Sequence, residues 1–146
     1  MRLQRGFLKL DSWSILKLIF KEAEIEEAIE KLNGYVGWLT YYGNFRCVRK
    51  LSHEEALNET IREGCKVLID ELSHFLRGRQ KELYIKVLRL ARNGARWSEI
   101  KRELNVNSEV LSDVLKSLTL AMIVEEEDGY YWIEDSMVKE AIKRMR

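Results

Sequence analysis

Few side chains in this 146-residue chain have the types and spacing that catalysis needs. His53 falls in what reads as the first turn of a long helix, an ordinary place for a solvent-exposed imidazole. His74 falls near the end of that helix, where the dipole favours partial positive charge. Neither has a Ser or Cys at motif spacing, so nothing supports an activated nucleophile. Cys47 and Cys65 form no C-x-x-C pair and have no histidine at ligand spacing, which points to buried or free thiols rather than a bridge or a metal site. The acidic runs Glu54-Glu55 and Glu125-Glu126-Glu127-Asp128 read as solvated faces, because no apolar pocket is implied that would raise one carboxyl for acid–base work. The expectation is no catalytic constellation, no metal and no cofactor.

Charge offers a different chemistry. The net charge is only +1, but from Arg77 to Arg102 nine basic residues stand against Glu82 and Glu99, and from Glu103 to Asp135 nine acidic residues stand against Lys116 alone. Such a switch fits a solvated charged face or an intramolecular partner for the acidic wing, complementary fields for self-association, or a nucleic-acid footprint through an unusual docking mode. The candidate nucleic-acid contacts are Arg89, Arg92, Arg96, Lys101, Arg102 and Lys116.

The elements that must carry these residues are mostly helical. A helix is expected from about Ser12 to Glu22 and a second from about Glu24 to Leu32, where Ile25, Ala28, Ile29 and Leu32 recur at helical spacing before a left-handed cap at Gly34. A short helix is expected to start over Trp38 to Tyr42. The clearest helix runs from His53 to Leu76 behind a Ser52-x-x-Glu55 capping box, with Leu57, Ile61, Leu68, Leu72 and Phe75 as its stripe and Cys65 beside it. Gly78 punctuates the chain, which gives expected domains over 1–77 and 78–146.

The second half reads as a winged helix-turn-helix. A helix with Leu83, Val87, Leu90 and Ala91 on one face ends at Asn93-Gly94. A shorter one follows over about Trp97 to Leu104, with Trp97 in the core. A third starts at Ser108 with Val110, Leu111, Val114, Leu115 and Leu118 as apolar positions. Two strand-like runs then meet at Asp128-Gly129, a strong signal for a two-residue hairpin turn, and a last helix covers Ser136 to Met145. In this fold the third helix usually enters the major groove. Here its exposed candidates are Ser108, Glu109, Ser112, Asp113, Lys116 and Ser117, and four carboxylates begin the hairpin turn, so ordinary duplex reading is disfavoured.

The stretch "LNGYVGWLTYYG", Leu32 to Gly43, is the most unusual: Gly34, Gly37 and Gly43 surround Tyr35, Trp38, Tyr41 and Tyr42. Three glycines in twelve positions predict tight turns or close approach of another surface. This stretch, "EEAIEKLNGYVGWLTYYGNF", with the later "IDELSHFLRGRQKELYIKVLRLARNGARWSEIKREL" and "VEEEDGYYWIEDSMV", resembles the C-terminal part of the archaeal ATPase family among AAA-related, signalling-type P-loop ATPases. The resemblance runs from about Ser12 onward. Gly34 and Gly37 match the two glycines of that family's G-x-P-G-W-L-T motif, Trp38, Leu39 and Thr40 match the residues after them, and Val36 replaces the proline.

The resemblance implies a helical lid-like bundle followed by a winged helix, with Gly34, Tyr35, Val36, Gly37, Trp38, Leu39 and Thr40 near a nucleotide domain. No G-x-x-x-x-G-K-[ST] occurs in the sequence, and the nearest spacing, Gly37 to Gly43, lacks the lysine and hydroxyl that meet the phosphates. The expected function is therefore a non-catalytic interaction module, an enzyme relative by resemblance only. Its expected partner is the missing ATPase domain or a second copy in a homodimer, with DNA binding as the alternative. Hydrophobic content of 46% with 34% charge describes a soluble chain, and charges interrupt the apolar N-terminal stretch, so the expectation is a cytoplasmic protein without a membrane partner.

Overall fold

The computed structural model describes residues 21–146; the helix expected from Ser12 lies almost wholly outside them. Among the described residues the chain is mostly helical with one small antiparallel sheet. Contacts divide it into two compact units at Leu68 and Ile69, a division that falls within the longest helix.

The first unit contains α1 (Glu22–Lys31), α2 (Val36–Cys47) and most of α3 (His53–Phe75). In α1, Ile25 and Ala28 are buried at helical spacing, with Glu22 and Glu24 in the first turn and Lys31 in the last, the arrangement the dipole favours. Its end is a Schellman turn. Asn33 (φ 55°) and Gly34 (φ 66°) are both left-handed. The Gly34 N–H reaches Ile29 O at 2.8 Å and the Asn33 N–H reaches Glu30 O at 3.2 Å.

The glycine-rich stretch does not turn at each glycine. Gly37 and Gly43 lie inside α2, and only Gly34 takes positive φ. A Cβ at Gly43 would meet nothing within 4 Å, so no neighbouring surface demands that glycine. The helix persists because Tyr35, Trp38, Leu39, Tyr42 and Phe45 bury one face at i, i+3, i+4 and i+7 spacing. Each such burial is worth about 1.5–3 kcal/mol. That outweighs the roughly 1 kcal/mol helical cost of each glycine.

The capping box opens α3 as its spelling requires. Glu55 Oε2 accepts from the Ser52 N–H at 3.0 Å, and the Glu55 N–H donates to Ser52 Oγ at 3.3 Å. Ala56, Leu57, Thr60 and Cys65 are buried below it, and Thr60 satisfies its hydroxyl on Ala56 O at 2.7 Å.

The second unit holds α4 (Lys81–Ala91), β1 (Ala95–Arg96), α5 (Trp97–Leu104), α6 (Ser108–Leu120), β2 (Glu125–Glu127), β3 (Tyr130–Trp132) and α7 (Ser136–Arg144). The strand order is β1-β3-β2, with Arg96 opposite Tyr130 and Glu125 opposite Trp132. The order of elements and this topology fit a winged-helix-like hairpin on a helical bundle. Asp128 (φ 50°) and Gly129 (φ 75°) make the expected two-residue turn. The strand β1 is an addition to the expected hairpin.

The core of this unit joins Val87, Leu88, Ile100, Leu111, Leu115 and Ile133, with Trp97 packed against it. Two expectations need correction. The buried face of α4 also includes Tyr84, Ile85 and Leu88, while Leu83 and Leu90 are only partly buried. Val110 is exposed on α6, because Leu111, Val114, Leu115 and Leu118 already complete that helix's inward stripe.

Candidate functional site

The segment Gly34–Thr40 straddles the start of α2 and splits by helical geometry into two faces. Gly34, Tyr35, Trp38 and Leu39 are buried, whereas Val36, Gly37 and Thr40 are exposed, joined one turn on by Tyr41. Thr40 returns its hydroxyl to Val36 O at 2.8 Å, so the exposed edge presents small groups and one tyrosine ring. Tyr41 leans on Trp38 with centroids 6.2 Å apart. Trp38 Nε1 is buried without an acceptor, an uncommon state for an indole N–H.

Beside this segment the structure assembles a cluster that sequence reasoning missed. Tyr42 Oη is 2.7 Å from His53 Nδ1, and His53 Nε2 is 2.8 Å from Glu27 Oε2. Glu27 lies on α1, Tyr42 on α2 and His53 on α3, so the chain of hydrogen bonds ties all three helices. His53 is half-buried rather than solvent-exposed, because it must satisfy a phenol that has no access to water. Burial pushes the Tyr42 pKa up to about 12, against a smaller opposing effect of Arg46. Hydrogen bonds from Lys31 and His53 hold the Glu27 carboxyl below the usual range. With Glu27 able only to accept, His53 donates from Nε2, and Nδ1 accepts the hydrogen bond that Tyr42 Oη donates. This is a structural relay: its ends are a protonated phenol and an ion-paired carboxylate. Arg46 and Glu24, 2.8 Å apart, add a second link between α1 and α2.

The basic residues of the second unit do not converge on α6. Arg89 donates from Nη2 to Met145 O at 2.9 Å and so fixes the end of α7. Arg96 starts α5, with its N–H on Glu99 Oε2 at 2.7 Å, and sits opposite Tyr130 in the sheet. Lys101 and Arg102 lie on α5 and Lys116 is exposed on α6. Arg92 is half-buried at the end of α4, in a groove beside the hairpin. Among the described residues no group of three His, Cys, Asp or Glu is placed to hold a metal ion, and no helix is long and apolar enough to cross a membrane.

A solved structure gives the comparison that matters. A Walker-type ATPase of Pyrococcus abyssi superposes on 92% of this chain with a TM-score of 0.77 and 29% sequence identity. The chain resembles part of an archaeal ATPase. It covers 39% of that protein's chain. No protein-family model and no curated protein matches it. The likeness supports a relationship to archaeal ATPase-related proteins, and its coverage fits a partial module of one.

Proposed function

We propose that the chain is the lid-like and winged-helix portion of an archaeal-type ATPase and works without chemistry of its own, by contact with another protein surface. The observation that carries this reading is the pairing of 92% coverage of this chain with 39% coverage of the Walker-type ATPase. The sequence supplies no phosphate-binding loop to accompany it. The contact surface is the exposed edge Val36, Gly37, Thr40 and Tyr41, held by the buried half of the same segment. Its partner is a P-loop nucleotide domain, or a second copy of the chain where that domain is absent.

Duplex DNA is the poorer partner. The exposed positions of α6 include Glu109 and Asp113 against Lys116. Phosphate neutralisation supplies most non-specific affinity, and this surface offers little of it. Two titrations of the purified chain test the reading. With ATP, calorimetry should show no saturable binding. With labelled duplex DNA at two salt concentrations, anisotropy should show no steep salt-weakened association. Tight nucleotide binding overturns the proposal, and so does duplex binding that is lost on replacing Arg92 and Arg96. Arg89 is unsuited to that test because it anchors the Met145 carbonyl.

A further inference from the structure

A groove of about 620 Å³ lies along the hairpin of the second unit, lined by Arg92, Gly94, Glu127, Tyr130, Trp132 and Lys139 among others. Tyr130 and Trp132 are two apart on β3 and share a face of the sheet. Their rings stack with centroids 5.9 Å apart and planes inclined by 29°. Tyr130 is 39% exposed and Trp132 half-buried, so part of the aromatic pair is open to solvent.

Its position is built in rather than accidental. Gly94 takes φ +80°, and a Cβ there would lie 1.9 Å from Tyr130 Oη. The phenol therefore rests on bare backbone, and only glycine permits that approach. Arg92 and Lys139 bring two cations into the same groove, and neither has an ion-pair partner among the described residues.

The carboxylate run on β2 offsets these cations only in part: Glu125 and Glu127 stand opposite Trp132 and Tyr130 on the aromatic face. Glu126 stands opposite Tyr131, on the other face, and accepts the Gly129 N–H at 2.8 Å. Of the four acids, Glu127 alone lines the groove.

We propose that this groove binds single-stranded nucleic acid, with bases stacked on Tyr130 and Trp132 and phosphates met by Arg92 and Lys139. Aromatic platforms beside cations are the means by which proteins hold unpaired strands, since every base has a π-face. A duplex hides those faces. A free nucleotide needs a pocket that encloses most of its surface, which an open groove does not supply, whereas a strand gains from successive shallow contacts. An acidic peptide would use the cations but not the rings. The proposal is independent of the protein-contact reading above, which concerns the first unit.

Anisotropy with a labelled mixed-sequence single strand, using the full chain, tests it. The same sequence as a duplex, a mononucleotide competitor and an oligoglutamate peptide serve as the other arms. Single strand should bind at least tenfold tighter than duplex, with Tyr130→Leu weakening it on the order of tenfold at unchanged helical circular dichroism. Lys139→Gln should shallow the salt dependence by about 0.7 in log–log slope. That variant breaks no ion pair, so it decides the matter even if Tyr130→Leu perturbs folding. Absence of binding, equal or tighter binding of duplex or oligoglutamate, mononucleotide competition at matching nucleotide concentration, or indifference to both substitutions would each overturn the assignment.

Discussion

Tyr42 and His53 meet edge-on, with ring centroids 5.7 Å apart, planes at 83° and the phenol oxygen 2.7 Å from Nδ1. Removing one partner of such a pair leaves the other unsatisfied, which costs more than the hydrogen bond itself contributes. Tyr42→Phe should therefore destabilise the first unit by about 1–3 kcal/mol in denaturant titration. A loss below a few tenths of a kcal/mol would mean that water satisfies His53 instead.

The same phenol sets an alkaline limit. Its pKa is raised from 10.0 to about 12 by burial. The unfolded chain loses this proton first, so the contribution of Tyr42 is whole below pH 10 and is lost progressively as pH rises toward about 12. Denaturant midpoints measured across that range should fall for the native chain and fall less for Tyr42→Phe.

Acid acts through two carboxylates. Glu27 is held below its ordinary 4.5 by hydrogen bonds from Lys31 and His53, and Glu55 by the Ser52 N–H and hydroxyl. Depressed folded values mean that their stabilisation is present above 4.5 and disappears as pH falls through the lower folded pKa. Glu27→Gln and Glu55→Gln should each flatten the acid limb of the stability curve. Ser52→Ala, which removes the cap's hydroxyl, should cost about 1 kcal/mol near neutral pH.

Gly94→Ala combines a left-handed backbone with a collision against Tyr130. It should destabilise the second unit by about 1–3 kcal/mol. Adding Tyr130→Ala should recover the collision but not the backbone strain, giving a coupling in the double-mutant cycle. Strict additivity would show that the ring moves aside freely.

What could be read from the sequence was local. Ser52 and Glu55 are three residues apart, Asp128-Gly129 needs only its own two φ angles, and Gly34 caps the helix that precedes it. The misreadings came from distance or competition. Glu27, Tyr42 and His53 lie on three helices, so no periodicity joins them; the one available signal was a tyrosine on a buried face, whose hydroxyl must find a partner. The strand β1 is two residues long and exists only by pairing with Tyr130 and Tyr131. Gly37 and Gly43 read as turns from their own backbone cost, which the aromatic burial on the same helix offsets. The Gly34–Thr40 motif was visible as residues, but its division into a buried and an exposed face required the helix to begin at Val36.

ATP turnover by a segment exchange tests the central claim most directly. The part of the Pyrococcus abyssi ATPase that matches this chain is replaced by the chain itself, with and without Thr40→Arg, a substitution on the exposed edge that leaves the buried face intact. The account predicts that the exchanged enzyme hydrolyses ATP, that Thr40→Arg lowers turnover on the order of tenfold or more through misplacement of the two parts, and that the isolated chain hydrolyses none. ATP hydrolysis by the isolated chain, or an exchanged enzyme indifferent to Thr40→Arg, would contradict it.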